Sequence, residues 1–424
     1  MKKEQIDNII ALIKQEVVPA IGCTEPAAVA LAVAKATETL DSLPDRIELL
    51  LSGNIIKNAM GVGIPGTGMI GLPIAIALGA LIGKSAYGLE VLADVTPEAL
   101  ERGRQYIDEK RIKIGHHKNP PSNLHIEAVV YKGDHSAEAV ISGAHTRFIL
   151  IRKDGETLLE NNETLSTSGG DFEELTEKSV YEFATTAPLD DIRFILEAGE
   201  MNVKAAEIAL HDDYGHSLGR VIRKQGVSLF GDTPVAHILS LTSAACDARM
   251  GGAKIPVMSN SGSGNQGITA TLPVVSYARD IHASEEQLIR ALTLSSLTSI
   301  YIKQSLGRLS ALCGCVVAST GASAGLTYLM GGGYDEVCAS IKNMVANLTG
   351  MICDGAKPSC AMKITSGAST AVMSAMLAMN GKCVTSAEGI VCDDIDRTVH
   401  NLTSIGREAM TETDHLVLDI MVGK

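Results

Sequence analysis

Tryptophan is absent from the 424 residues, and aromatic side chains of all kinds make up only 3%. Ala, Val, Ile, Leu and Met must therefore supply most of the 46% apolar content. Cores of such residues favour closely packed helices over a sandwich built on aromatic pairs. Net positive charge is lacking too: 36 Lys and Arg against 49 Asp and Glu leave −13. That balance argues against a binder of nucleic acid, which needs a basic face. An apolar export segment is also missing, since MKKEQIDNIIALIKQ carries charges throughout. With nine cysteines, an odd number, the expected compartment is the cytoplasm and the expected state is reduced thiol. Three stretches do lack charge over a membrane-spanning length: 59–83, 309–334 and 364–381. They are thick with Gly, Ser, Thr and Pro and lack basic flanks, so they read as buried helices of a chain that enters no membrane.

The length exceeds one ordinary core. The pattern predicts a mostly α protein: a large helical catalytic domain with an inserted smaller α+β domain. Residues 1–85 read as the first part of the helical domain. Ile6, Ile9, Ile10, Ile13 and Val17 recur at helical spacing, a break follows at 18–22, and a helix runs through PAAVALAVAKATETL. LSGNIIKNAMGVGIPGTG reads as a glycine-rich loop region before another apolar helix. Charge rises near residue 86, and KRIKIGHH, LHIEAVVYKG and HTRFILIRKDGETLLE read as strands, with a helix in TPEALERGRQYIDE. Residues 86–188 form the expected insertion, and 189–424 the cluster-bearing part of the helical domain. In that part, SNSGSGNQGITATLPV reads as a loop presenting backbone N–H groups, then a helix.

Cysteine is the residue type with the most to say. Cys315 lies in a long uncharged segment, and Cys353 and Cys360 bracket CDGAKPSC. Pro358 can open a helix, which would set Cys360 in a first turn. Three thiolates are one short of the usual cubane set, and an open metal position is a Lewis acid. The alternative is three buried small hydrophobes. Cys313 competes as a ligand, and zinc also takes thiolates. Cys23, in GCTEP, falls just before a helix whose N-terminus would lower its pKa; it reads as a base or nucleophile, or as a plain helix-entry cysteine. Lys57, with a phosphate cradle at 261–267, also fits a pyridoxal-phosphate lyase. Cys246, Cys338, Cys383 and Cys392 show no partner spacing. No cluster is expected of the histidines. His211, Asp212, Asp213 and His216 read as a solvated helix end before a divalent-ion site.

Over essentially its full length the chain resembles the L-cysteine desulfidase family, related to the iron–sulfur L-serine dehydratases through their alpha-chain domain. GCTEPAAVALA, SGNIIKNAMGVGIPGTG, SNSGSGNQGITATLPV, GCVVASTGASAGLTYLMGG and CDGAKPSC carry the resemblance. The serine dehydratases have a Ser-Ser-Ser-His-Thr type motif where this chain has Gly22-Cys23-Thr24-Glu25-Pro26, and their last cysteine spacing is longer. The resemblance implies a [4Fe-4S] cluster on Cys315, Cys353 and Cys360 with one open iron, and Cys23 as the base. Asn54, Lys57, Asn58, Ser261, Gly262 and Asn265 would hold a small amino-acid substrate. The implied reaction is β-elimination of L-cysteine to sulfide, ammonia and pyruvate. The alternatives are serine-dehydratase-type deamination and a non-catalytic iron–sulfur or redox-sensing protein. The extensive apolar helical surface makes a homodimer the expected assembly.

Overall fold

The structure is a computed structural model that describes residues 1–161, 175–224, 229–307 and 310–423. Leu309, where the second uncharged stretch begins, lies outside them. Helix α1 (Lys3–Glu16) leads into a short strand, β1 (Pro19–Ile21). Then come α2 (Thr24–Leu40), β2 (Arg46–Leu51), α3 (Gly53–Ala59), α4 (Leu72–Ile82) and α5 (Pro97–Asp108). Five strands follow: β3 (Ile112–His116), β4 (His125–Lys132), β5 (His135–Ser142), β6 (Phe148–Lys153) and β7 (Glu156–Glu160). The remainder is helical: α6 (Glu177–Thr186), α7 (Leu189–Ile192), α8 (Leu196–His211), α9 (Leu218–Arg223) and α10 (Pro234–Met250). After β8 (Pro256–Met258) come α11 (Gly264–Asp280), α12 (Glu285–Leu306), α13 (Gly314–Leu329) and α14 (Tyr334–Leu348). The last three are α15 (Cys360–Met379), α16 (Ile395–Ser404) and α17 (Thr411–Val422). The chain is thus mostly helical with a small sheet region.

Strands β3-β2-β4-β5-β6-β7 form one sheet, parallel only between β2 and β3. Its register follows from alternation. Ile47, Leu49 and Leu51 are buried, as are Ile126, Ala128 and Val130, and Ala137, Ala139 and Ile141. Leu49 stands opposite Ala128, and Ala128 opposite Ala139, so one face is apolar across three strands. Helices α2 and α4 share that core.

Packing divides the chain differently from the expected boundary at residue 86. The buried apolar residues from Ala28 to Ala80, Val62 excepted, belong to the sheet's core, and β2 is an inner strand of the sheet itself. The helical core gathers α1, Cys23 and Val62 with residues from Leu175 to Met410. Finally α17 crosses back, setting Leu418 into the sheet's core. The physical reason is β2: its Ile-Glu-Leu-Leu-Leu run needs strands β3 and β4, far along the chain, to bury its alternate residues. The glycine-rich region after it is also not all loop, since α3 occupies its first part.

In the helical core, small residues let backbones meet. A β-carbon on Gly321 of α13 would overlap the Ser295 carbonyl oxygen of α12. This close packing is what the dearth of aromatics foretells. Among the described residues no helix is long and apolar enough to cross a membrane.

Candidate active site

Four helix starts converge here, and each is set by local chemistry. Strand β1 pairs antiparallel with β8, Pro19 opposite Met258, and this brings the start of α2 beside the start of α11. Cys23 is the N-cap of α2. Ser263 caps α11 by accepting the Gln266 N–H at 3.4 Å. An isolated bridge between Leu312 and Ile352 ties the start of α13 to the segment before α15. There the Cys313 N–H donates to Met351 O at 3.0 Å and the Cys353 N–H to Ala311 O at 2.7 Å. Cys313 is the N-cap of α13, Cys315 lies in its first turn, and Cys360 is the first residue of α15. Helix N-termini carry partial positive charge, so their convergence favours anionic groups.

The three predicted cysteines lie near enough to act on one another's charge, Cys353 on Cys360 and Cys360 on Cys315, and Cys313 and Cys246 join that chain. Burial pushes the Cys315 thiol well up, with Cys313 and Cys360 adding to the rise. Cys313 is pushed up to about 12 by burial and by Cys353. Cys246, on the last turn of α10, is also raised by burial, then by Cys360. A fifth thiol was thus not legible as a neighbour of the trio. Buried thiols that oppose each other's ionisation take the thiolate form only with added positive charge. Some is at hand: burial raises the Cys360 thiol too, but Lys357 and Lys363 oppose that rise, and both lysines pair with Asp354. Lys303, half-buried on α12, is itself depressed to about 8 by burial and raised in part by Cys353.

Two glycines fix the cysteine segment. Gly355 has φ +90°, and a β-carbon there would overlap the Lys57 carbonyl oxygen. The CDGAKPSC loop thus lies directly on α3. Gly367 of α15 faces Cys315: its β-carbon would stand 2.5 Å from Sγ.

Cys23 is buried, and its Sγ donates to Glu25 Oε2 at 2.8 Å and lies 3.7 Å from Asn58 O. The expected lowering of its pKa is not met. Burial raises the thiol well above its ordinary value, Glu25 raises it further, and Arg249 opposes the rise. A helix terminus contributes about 0.3–1 kcal/mol, less than full desolvation of a thiolate costs.

Arg249 is the main residue that sequence reasoning missed. It is only 7% exposed, yet no carboxylate pairs with it among the described residues. Its Nη2 donates to Gly22 O at 3.0 Å and its Nη1 to Asn265 Oδ1 at 2.9 Å. Its Nε is buried without an acceptor. Gln266 Oε1 and Ser296 Oγ are likewise buried and unpaired. Gln266 abuts Gly314, where a β-carbon would lie 3.0 Å from its side-chain amide. Cys246 and Arg249, three apart on α10, share one helix face; that spacing was the available signal.

Of the predicted substrate residues, Asn265 joins Arg249 and Cys246. Asn58 meets Cys23 through its carbonyl and Asn54 through its side chain at 3.3 Å. Lys57 is buried and ion-paired with Asp414 of α17. Ser261 and Gly262 sit on the loop before α11, where the Ser261 hydroxyl donates to Asn260 at 2.9 Å and its N–H to Glu16 O at 2.9 Å. The expectation of unclustered histidines also fails, because His117 and His125 stack edge to face in the sheet with Glu127 beside them. Near α9, Asp213 pairs with Arg220 at 3.5 Å, as suits a solvated helix end.

The serine dehydratase alpha chain family matches residues 86–419. The chain belongs to that family. A "UPF0597 protein" of Bacteroides fragilis is 62% identical over 429 residues, with both chains covered in full. Proteins of the same description from Oleidesulfovibrio alaskensis and Shewanella halifaxensis are 49% and 43% identical, again over both whole chains. Family membership points to a lyase- or dehydratase-type enzyme.

Proposed function

We propose that this protein is a carbon–sulfur lyase that eliminates sulfide from L-cysteine at a [4Fe-4S] cluster held by Cys315, Cys353 and Cys360. The observation that carries this is the approach of those cysteines around the starts of α13 and α15, beside a buried arginine that has no carboxylate partner among the described residues. The donor set, three thiols with two more close by, fits the cysteine ligation of an iron–sulfur cluster. When bound, the cluster supplies a Lewis-acid iron with one position open to substrate.

The chain's own groups account for the rest. Arg249, already held by Gly22 O and Asn265, offers its buried charge to the substrate carboxylate. Glu25 takes the proton of the Cys23 thiol across their 2.8 Å contact, and Arg249 favours the thiolate so formed. Cys23 then removes the α-proton. The Cα–H pair forms the new double bond as the Cβ–S bond breaks, and its electron pair leaves with hydrosulfide. The aminoacrylate tautomerises to an imine, which water converts to pyruvate and ammonia. No electron is transferred. The segment 22–26, with cysteine in place of a serine-rich motif, favours L-cysteine over L-serine.

Two specific observations bear on the alternatives. Lys57 is engaged by Asp414, which argues against its use as a Schiff-base lysine. The nearness of Cys246 and Cys313 to the trio is what a fully ligated, non-catalytic cluster would need. Sulfide and pyruvate release by the anaerobically reconstituted chain, with L-cysteine and L-serine compared, separates the readings. L-cysteine should be the better substrate, Cys23→Ala should keep the brown cluster and lose turnover, and Cys313→Ser should retain both. Sulfide release at the normal rate by a colourless Cys315→Ala chain would sink the proposal.

A further inference from the structure

A second cluster of ligand atoms lies in the sheet, apart from the cysteines. His117 follows the end of β3, His125 opens β4, and Glu127 lies two residues on, so both β4 residues point to one face. The backbone fixes them. His117 N–H donates to Leu51 O at 2.8 Å, Ser52 N–H to His125 O at 2.9 Å, and His125 N–H to Ser52 Oγ at 3.2 Å. One ligand atom from each of the three side chains falls within 4.8 Å of the other two. Glu127 Oε1 is 2.8 Å from His125 Nε2 and 3.7 Å from His117 Nε2. A tetrahedral ion with bonds of about 2.1 Å wants its ligand atoms roughly 3.4 Å apart, a value these two distances bracket.

The surroundings fit metal-site chemistry. His125 is 3% exposed, and its Nδ1 lies 3.1 Å from Ser142 Oγ. Nε2 faces the Glu127 carboxylate at 2.8 Å; in the tautomer that donates Nδ1–H to the Ser142 hydroxyl, the Nε2 lone pair is free to ligate a cation shared with that carboxylate. His117 Nδ1 is buried with no partner. The His117 and Glu127 side chains keep 23% and 29% exposure, so one side stays open to a fourth ligand.

We propose that His117, His125 and Glu127 form a three-ligand site for a divalent transition metal of the zinc class, independent of the cysteine cluster. Ser142 orients His125 from behind. The site sits where α3 leaves β2, so the ion would clamp the strand ends beneath the helix that carries Asn54 and Asn58.

The test is zinc retained per full-length, cluster-loaded chain after gel filtration, read by elemental analysis, with circular dichroism as the check on folding. Wild type should retain about one zinc per chain. His117→Asn and Glu127→Gln, both at partly exposed positions, should each weaken zinc by about tenfold or more, and Ser142→Ala by about tenfold. Zinc should also raise the melting temperature of wild type and not that of His117→Asn. Three results overturn the proposal: no zinc on wild type, unchanged zinc on both ligand variants, or zinc lost with Cys313→Ser instead.

Discussion

The helical core and the sheet core treat buried polar groups differently. In the helical core, hydroxyls are many and mostly turned back on their own helices. Thr242 donates to Ile238 O at 2.7 Å, Ser299 to Ser295 O at 2.9 Å, Thr320 to Val316 O at 2.8 Å and Thr327 to Ser323 O at 2.7 Å. In the sheet core, buried polar side chains are few: Ser52, Lys57, Thr67, His125 and Ser142. Satisfied hydroxyls are packing material in polar dress. The unsatisfied atoms are the informative ones. Among the described residues they are, in the helical part, Arg249 Nε, Gln266 Oε1, Ser296 Oγ and Glu177 Oε2; in the sheet part, Thr37 Oγ1 and His117 Nδ1. Arg249 and Gln266 border the cysteines, through Asn265 beside Cys246 and through Gly314, and Ser296 borders the loop before α11, its carbonyl accepting from Asn260 at 3.1 Å. Arg249 Nε and Gln266 Oε1 beside the cysteines, and His117 Nδ1 beside His125, thus mark the two candidate sites, while Glu177 and Thr37 lie outside them.

Breaking the helical side of that comparison should have the largest effect. Gly367→Ala removes no ligand but sets a β-carbon against Cys315 Sγ and Ser319. Cluster iron per chain should fall several-fold and activity with it, while overpacking costs about 1–3 kcal/mol of stability. Normal iron content in a folded variant would contradict the placement of Cys315. Next comes Arg249→Lys, which keeps the charge and loses the planar fork. With the cluster intact, kcat/KM for L-cysteine should drop about 10- to 100-fold, and an unchanged value would remove Arg249 from substrate binding.

The smallest effect concerns stability alone. Glu177 is fully buried and accepts from Thr298 at 3.1 Å; burial pushes its carboxyl up to about 8. A folded pKa above the unfolded one means stability is full below about pH 4.5 and is lost as pH rises through about 8. Glu177→Gln mimics the protonated form. Its melting temperature should match wild type near pH 5 and exceed it near pH 8, where wild type has given up on the order of several kcal/mol. Parallel pH profiles would show that Glu177 is already charged when buried.

Much of this was legible. Helical spacing found α1, alternation found β3, β4 and β6, and Pro358 announced a helix that does begin at Cys360. What was not legible depended on contacts remote in sequence. The alternation in β2 was present, but only β3 and β4 turn it into an inner strand. Cys246 and His125 have no motif spacing, because their partners come from other segments. Cys23 was placed correctly at a helix start, yet the sign of its pKa depended on burial, which the sequence does not display.

The central claim is that one iron of a cluster on Cys315, Cys353 and Cys360 stays open for the substrate. Mössbauer spectra of the 57Fe-reconstituted chain, with and without L-cysteine, test it most directly. The expected result is a [4Fe-4S] signal in which a single iron site shifts on adding L-cysteine and the other three do not. A cluster whose four irons are all unmoved by substrate, or a chain that releases sulfide with no cluster assembled, would contradict it.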